Sequence, residues 1–412
     1  MVSPANSSFR DPAGYVYRGE DGHLYRSVSQ RYNEQYRLLM DSGLYKSLAD
    51  KGWLISHQEI ETEANGQPVY TLYPAEIPFI SYPFEWCFSQ LKEAALLTLD
   101  IQLEALKHGM SLKDASEYNV TYHNGRPVFI DTLSFEKHTE GQPWKAYRQF
   151  CQHFLAPLAL AAYQSPELIR LLQNHLDGVP LPLASKLLPA KSYFSMGLLL
   201  HVHLHAKAQQ KLSHKQASTA SVNTSSSQNV LHLITNLRAT ISKLAWKPKQ
   251  TNWANYYTES NNYTDSSMQH KEEVVEMFLA SINASKVWDI GANTGKFSEI
   301  AAKYASQVIA TDFDPEAIEL LHKNLKTKGN RTILPLVSDI VNPSPAIGWR
   351  NQERASILER IQPDTILALA VVHHLAIANN IPFAMVARLL ASKCQHLIIE
   401  FVPKEDSQVQ RM

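Results

Sequence analysis

From Lys286 to Val402 the chain alternates short apolar runs with amphipathic stretches. The apolar runs, Lys286–Ile290, Gln307–Thr311, Thr332–Val337, Thr365–Ala370 and His396–Val402, read as buried strands. Helical periodicity fills the intervals at Lys296–Tyr304, Pro315–Lys328, Glu353–Arg360 and Pro382–Lys393. Such alternation predicts a doubly wound, mostly parallel α/β sheet covered on both faces. Ligands then bind at the carboxyl ends of the strands, near the switch point.

Upstream the pattern is α+β. Gly14–Arg18 and His23–Val28 read as a hairpin, Tyr32–Lys51 as a helix, Gln67–Leu72 as a strand and Ser89–Lys107 as a long helix. Between Lys207 and Gln228, Gln, Ser, Thr, Ala and Lys dominate, a composition that reads as a linker. An amphipathic helix follows, with Val230, Leu231, Leu233, Ile234, Leu237, Ile241 and Leu244 as its apolar residues. The expected organisation is an α+β domain over 1–206, a linker over 207–228 and the sheet domain over 229–412.

Composition narrows the class. A chain of 412 residues suggests two domains, and 44% hydrophobic with 19% charged residues is that of a soluble globular protein. Lys and Arg number 39, as do Asp and Glu, so no net basic field draws the whole chain to nucleic acid or to an anionic membrane. Neither is expected as a partner. Met1–Arg10 shows no signal-peptide pattern, and there is no apolar run of about 18 residues. Cys87, Cys151 and Cys394 are odd in number and scattered, which fits a reducing cytoplasm and gives neither a disulfide framework nor a metal site.

The chemistry concentrates at the first strand of the sheet. Val287–Trp288–Asp289–Ile290 ends in a turn, Gly291–Ala292–Asn293–Thr294–Gly295, and the next strand ends at Asp312. Glycines let a ligand approach the backbone, and an acid at the end of the second strand is placed for ribose hydroxyls. The turn is no phosphate cradle. Gly291 to Gly295 is one residue short of a P-loop, Phe297 stands where a hydroxyl would hold magnesium, and Asn293 and Lys296 replace glycines of the dinucleotide fingerprint.

What remains, Asp-x-Gly-x-x-x-Gly from Asp289 to Gly295, resembles motif I of class I S-adenosylmethionine-dependent methyltransferases. Asp312 and then Ser338–Asp339–Ile340 follow in the order of that family. The resemblance implies S-adenosylmethionine as cofactor, with Asp289, Gly291, Asn293, Gly295, Asp312, Asp339 and Ala370 around it. It also implies that a segment before the first strand folds over the cofactor, which brings in Tyr257 and Lys271. The sulfonium and ammonium of this cofactor suit acids at strand ends. With Leu334–Pro335–Leu336, Asn342–Pro343–Ser344–Pro345 and Glu400–Phe401–Val402–Pro403 the chain is similar to a bacterial two-domain, nodulation-protein-like branch, which brings no settled substrate.

Catalysis is expected after the fourth strand, in Leu369–Leu375. His373 or His374 would serve as the base, with Glu400 as the alternative acid/base. The Asn/Asp-Pro-Pro-Tyr of nitrogen methylation is absent there, which favours oxygen or carbon of a small-molecule or saccharide acceptor.

A second constellation lies in the first domain: Asp114, Asn119, the turn at Asn124–Gly125, and Asp131. It resembles the catalytic core of protein kinases and aminoglycoside phosphotransferases, which implies that Asn119 and Asp131 hold magnesium with ATP. No glycine-rich loop and no V-A-I-K lysine accompany it, and Arg26 stands as the positional candidate for that lysine. The alternative functions are a kinase-like phosphotransferase with a nucleoside-sensing second domain, or a non-catalytic binding protein. Class I sheets usually finish with a helix and a hairpin, and only about ten residues follow Val402. The expectation is either a truncated sheet whose fifth strand is an exposed, association-prone edge, or an edge that another chain covers.

Overall fold

The computed structural model describes residues 8–64, 67–213, 227–248 and 265–410. The first half opens with β1 (Gly14–Arg18) and β2 (Leu24–Val28), then α1 (Asn33–Asp41) and α2 (Leu44–Asp50), then β3 (His57–Ala64) and β4 (Gln67–Pro74). These four strands form an antiparallel sheet in the order β1-β2-β4-β3. The helix expected over Tyr32–Lys51 is two helices, because Gly43 adopts φ 78° between them and turns the chain.

Next come α3 (Phe88–Lys107), β5 (Met110–Leu112), the hairpin β6 (Val120–His123) and β7 (Arg126–Phe129), and β8 (Phe135–Lys137). Asn124 and Gly125 both have positive φ, as a two-residue hairpin turn requires. A helical lobe follows: α4 (Tyr147–Phe150), a π turn at Cys151–Leu155, α5 (Ala156–Tyr163), α6 (Leu171–Asn174), α7 (Leu181–Leu187), α8 (Met196–Leu198), a second π turn at Leu199–Leu204, α9 (His205–Ser213) and α10 (Ser227–Lys243).

The second half runs α11 (Asp265–Ile282), β9 (Lys286–Ile290), α12 (Lys296–Ala301), β10 (Gln307–Asp312), α13 (Pro315–Lys328), β11 (Ile333–Val337), α14 (Ile357–Arg360), β12 (Thr365–Ala368), α15 (Phe383–Ala391) and β13 (His396–Ile399). The strands form a parallel sheet in the order β11-β10-β9-β12-β13, so the connections reverse direction between β9 and β12. α13 shows how locally the sequence dictates its elements. Asp314 caps its first turn through Glu316 N, Pro315 opens it and Gly329 closes it at φ 67°.

One face of this sheet is covered by its own helices. Val287, Val308, Ala310, Val337 and Leu367 pack with Val275 and Leu279 of α11, Phe297 of α12 and Leu321 of α13. The opposite face behaves differently. Trp288, Ile290, Ile309, Leu336 and Ile366 share one core with α14, α15 and the first half, including Tyr82, Phe84 and Phe88. Polar contacts seal this seam: Ser89 N and Oγ donate to Glu319 at 2.9 and 2.5 Å, and Gln90 Nε2 donates to Pro335 O at 3.1 Å. Arg360 donates to Ile80 O at 2.6 Å, pairs with the fully buried Glu85, and lies 3.9 Å over the Tyr82 ring.

α10, expected to open the sheet domain, instead packs on α3. Arg238 pairs with Asp100 at 2.6 Å, and Lys92 Nζ donates to Ser242 O and Leu244 O. Of the expected linker, residues up to Ser213 lie in α9 and 214–226 fall outside the described residues. Among the described residues no strand pairs with the outer edge of β13, where Leu397 and Ile399 are 40% and 46% exposed. No described helix is long and apolar enough to cross a membrane.

Candidate functional site

At the carboxyl edge of the parallel sheet lies a cavity of about 330 Å³. Its walls come from four of the five strand ends. β9 supplies Ile290, Gly291 and Asn293, β10 supplies Asp312 and Phe313, and β11 supplies Ser338 to Val341. The turn after β12 supplies Leu369 to Val371, His374, Leu375 and Asn379.

The β9 turn reaches this wall by way of left-handed backbone at Gly291 (φ 71°), Asn293 (φ 52°) and Gly295 (φ 86°). A Cβ on Gly291 would lie 2.6 Å from Val371 Cγ2, so only glycine lets the two loops meet. Gly295 lies outside the cavity lining. It opens α12, and a Cβ there would strike Leu321 at 2.3 Å. Across the cavity Ala370 has φ 53°, an unusual conformation for a residue with a Cβ and one that functional sites hold by tight surroundings.

The acids differ in their duties. Asp312 is buried and accepts Asn293 N at 2.8 Å and Asp314 N at 2.9 Å, which fixes both carboxylate oxygens while the residue lines the cavity. Burial pushes its pKa up to about 6. Asp289 does not reach the cavity lining. It accepts Ser298 Oγ at 2.5 Å beneath the turn, and burial, with the nearby charge of Asp312, pushes it up to about 7. Asp339 lines the cavity and accepts Val341 N at 2.9 Å.

His374 lines the cavity, within a π turn (His374–Ala378) that follows the strand end. His373 stands behind it with ring centroids 4.3 Å apart, and its buried Nδ1 has no hydrogen-bond partner. Burial lowers both imidazoles, His374 to about 4, so His374 is neutral at neutral pH and has a lone pair to offer. Lys271 of α11 lines the cavity from the amino-terminal side and pairs at 2.7 Å with Glu400, just beyond β13. Glu400 itself is not in the lining. Tyr257 and the aromatic segment around it fall outside the described residues. Phe313, Val341 and Asn379 line the cavity without having been singled out from sequence. Phe313 was findable as the neighbour of Asp312, whereas Asn379 arrives through the π turn and left no pattern to read.

The constellation of the first half is engaged internally. Asp131 accepts Leu133 N on Oδ1 at 2.9 Å and Ser134 Oγ on Oδ2 at 2.6 Å, while Arg26 Nη2 pairs with Oδ1 at 2.5 Å. Arg26 also pairs with Asp11 at 2.9 Å. Asn119 Nδ2 donates to Ser134 Oγ, and Asp114 accepts Ser116 N and Gln149 Nε2. A guanidinium already supplies the positive charge at Asp131, and among the described residues no three His, Cys, Asp or Glu side chains are grouped to hold a metal. The expectation that Asn119 and Asp131 carry magnesium with ATP therefore finds no support in this geometry.

Strand order, the glycine turn and the acid-lined cavity at the switch point give the second half the Rossmann-like fold of class I methyltransferases. The chain belongs to the family of nodulation protein NoeA. It is 35% identical over 419 aligned positions to nodulation protein NoeA of Rhizobium meliloti (strain 1021), an alignment covering 98% of this chain and 86% of that protein. Among solved structures, N-methyltransferase NodS from Bradyrhizobium japonicum WM9 matches 36% of this chain and 74% of its own, at 15% identity and a TM-score of 0.27. The bifunctional kinase-methyltransferase WbdD matches 40% of this chain and 35% of its own, at 20% identity and a TM-score of 0.28. No protein-family model matches the chain.

Proposed function

We propose that the protein is an S-adenosylmethionine-dependent methyltransferase acting on an oxygen, or a carbon, of a small-molecule or saccharide acceptor. The observation that carries this reading is the single cavity uniting the Gly291–Asn293 turn, Asp312, Asp339 and His374. Its donor set fits the cofactor: carboxylates for ribose hydroxyls and for positive charge, an ammonium for a carboxylate, and no phosphate cradle. Asp312, rigid between two backbone N–H groups, would hold the ribose, and Phe313 with Ile340 would flank the base. Lys271 would meet the carboxylate of the amino-acid end. Bound there, S-adenosylmethionine would supply an electrophilic methyl group on its sulfonium.

His374 would take the proton of an acceptor hydroxyl as that oxygen attacks. The cavity wall, with Val371 and Leu375, would exclude water and align the displacement. Glu400, held by Lys271, serves this reading better as a partner that fixes the ammonium than as the base.

Calorimetric titration with S-adenosylmethionine and S-adenosylhomocysteine tests the site, and transfer of methyl label to candidate acceptors tests the activity. Saturable binding followed by label transfer is expected. Absence of binding to either compound by the folded protein would refute the assignment. Binding without transfer to any acceptor would leave a nucleoside-binding protein.

A further inference from the structure

Overall neutrality conceals a segregation of charge. Residues 178–258 contain nine Lys and Arg and no Asp or Glu, in a chain with 39 of each class. The described part of this stretch folds into the helical lobe from α7 to α10. Arg238 is answered by Asp100 of α3, across the seam with the rest of the half.

The same lobe carries an outward apolar ridge. Phe194 is 92% exposed, Met196 65%, Leu200 43% and Leu204 44%. Met196, Leu200 and Leu204 are spaced by four through the π turn, whose wider winding keeps such residues on one side. The opposite side of that turn is already satisfied: His201, Val202 and His203 are buried. Ser185 and Ser192 each bond His203 at 2.8 Å, and the Tyr193 ring stacks on it at 3.8 Å. Phe194 is therefore presented from an anchored turn, and its exposure does not reflect a gap in the core. Lys191 and Lys207, both exposed, flank the ridge at its two ends in sequence.

We propose that this face docks on the surface of an anionic phospholipid bilayer. Exposed aliphatic and aromatic side chains bordered by lysines, with no acid nearby in the chain, match what such a surface offers. The apolar ridge enters the boundary between headgroups and acyl chains, while the ammonium groups reach phosphates on flexible stems. A nucleic-acid site would favour arginines and stacking rings. Here three of the five exposed large apolar side chains between Tyr193 and Leu204 are aliphatic, and the Tyr193 ring is already stacked on His203. Whole-chain neutrality set a membrane aside at the sequence level, but a membrane surface senses the local field, which falls off within a Debye length.

The test is flotation of the full chain with vesicles of phosphatidylcholine alone and of phosphatidylcholine mixed with phosphatidylglycerol, at low and high salt. Selective, salt-sensitive flotation with the anionic vesicles is expected. Lys191→Glu with Lys207→Glu should reduce it by about tenfold or more, and Phe194→Ser should weaken it with the melting temperature unchanged. No flotation, or equal flotation with neutral vesicles, would overturn the proposal. So would wild-type flotation of Phe194→Ser together with equally lysine-dependent retention on RNA or heparin, which would mark a general polyanion site.

Discussion

Asp312 concentrates the cofactor argument in one side chain. Its carboxylate satisfies two buried backbone donors and faces the cavity. Asp312→Ala should weaken S-adenosylmethionine binding by about 1.5–3 kcal/mol, the range for hydrogen bonds to a charged group. Titration calorimetry checks this, with circular dichroism to confirm the fold. Unaltered affinity in a folded variant would remove Asp312 from the ribose. Asp289 and Asp312, raised to about 7 and about 6 chiefly by burial, also set a pH dependence. Folded, they hold protons more tightly than the unfolded chain does. That stabilisation is complete below the unfolded value of ~4 and is lost as pH climbs through the folded values. A ligand with sulfonium and ammonium charges favours the ionised acids, so its affinity should rise over the same window with release of protons. Titrations in buffers of different ionisation enthalpy would detect the release, and affinity independent of pH would exclude it. His374→Gln should lower kcat by about 10²–10⁴-fold with little effect on S-adenosylhomocysteine affinity. An equal loss of both would make His374 a wall of the cofactor site.

Elements were the most legible level. All five parallel strands begin within one residue of their expected positions; a strand buried on both faces writes itself as a continuous apolar run, and β13, exposed at the sheet edge, carries such a run as well. Failures occurred where a side chain was recruited from afar. The helix expected over Glu353–Arg360 begins only at Ile357, because Glu353 turns away to pair with Arg10 at 2.7 Å and to accept Trp349 N. Nothing near Glu353 in sequence announces that partner. The same level carries the seam between α14 and the first half. Arg360→Ala leaves Glu85 as a buried, unpaired charge and should cost about 3–5 kcal/mol. A fall in melting temperature of less than about 2 °C, below what such a loss gives in a chain of this length, would mean that water replaces the guanidinium there.

At the scale of the whole molecule, periodicity predicts α10 but not what it faces, and in the structure that helix packs on α3 of the first half. The acid-free stretch from 178 to 258 was readable as plain text, yet averaging charge over the chain erased it. The shared core makes a further demand. Trp86 in the first half and Trp288 in the second are both buried, and the layer between the halves is one apolar cluster. Thermal unfolding followed by calorimetry and by fluorescence of single-tryptophan variants should give one coincident transition. Two separated transitions would show that the seam is a docking contact between independent units.

The roof over the sheet has a historical consequence as well. A methyltransferase sheet that closes its own two faces can be exchanged among proteins like a cassette. Here the cover over Ile309, Leu336 and Ile366 is completed, beside α14 and α15, by residues more than two hundred positions earlier, around Tyr82 to Phe88. Neither half can drift alone at that surface. Hybrids joining halves of distant relatives should therefore fail first at Arg360, Glu85 and Gln90, while their cofactor cavities remain correctly written and never form.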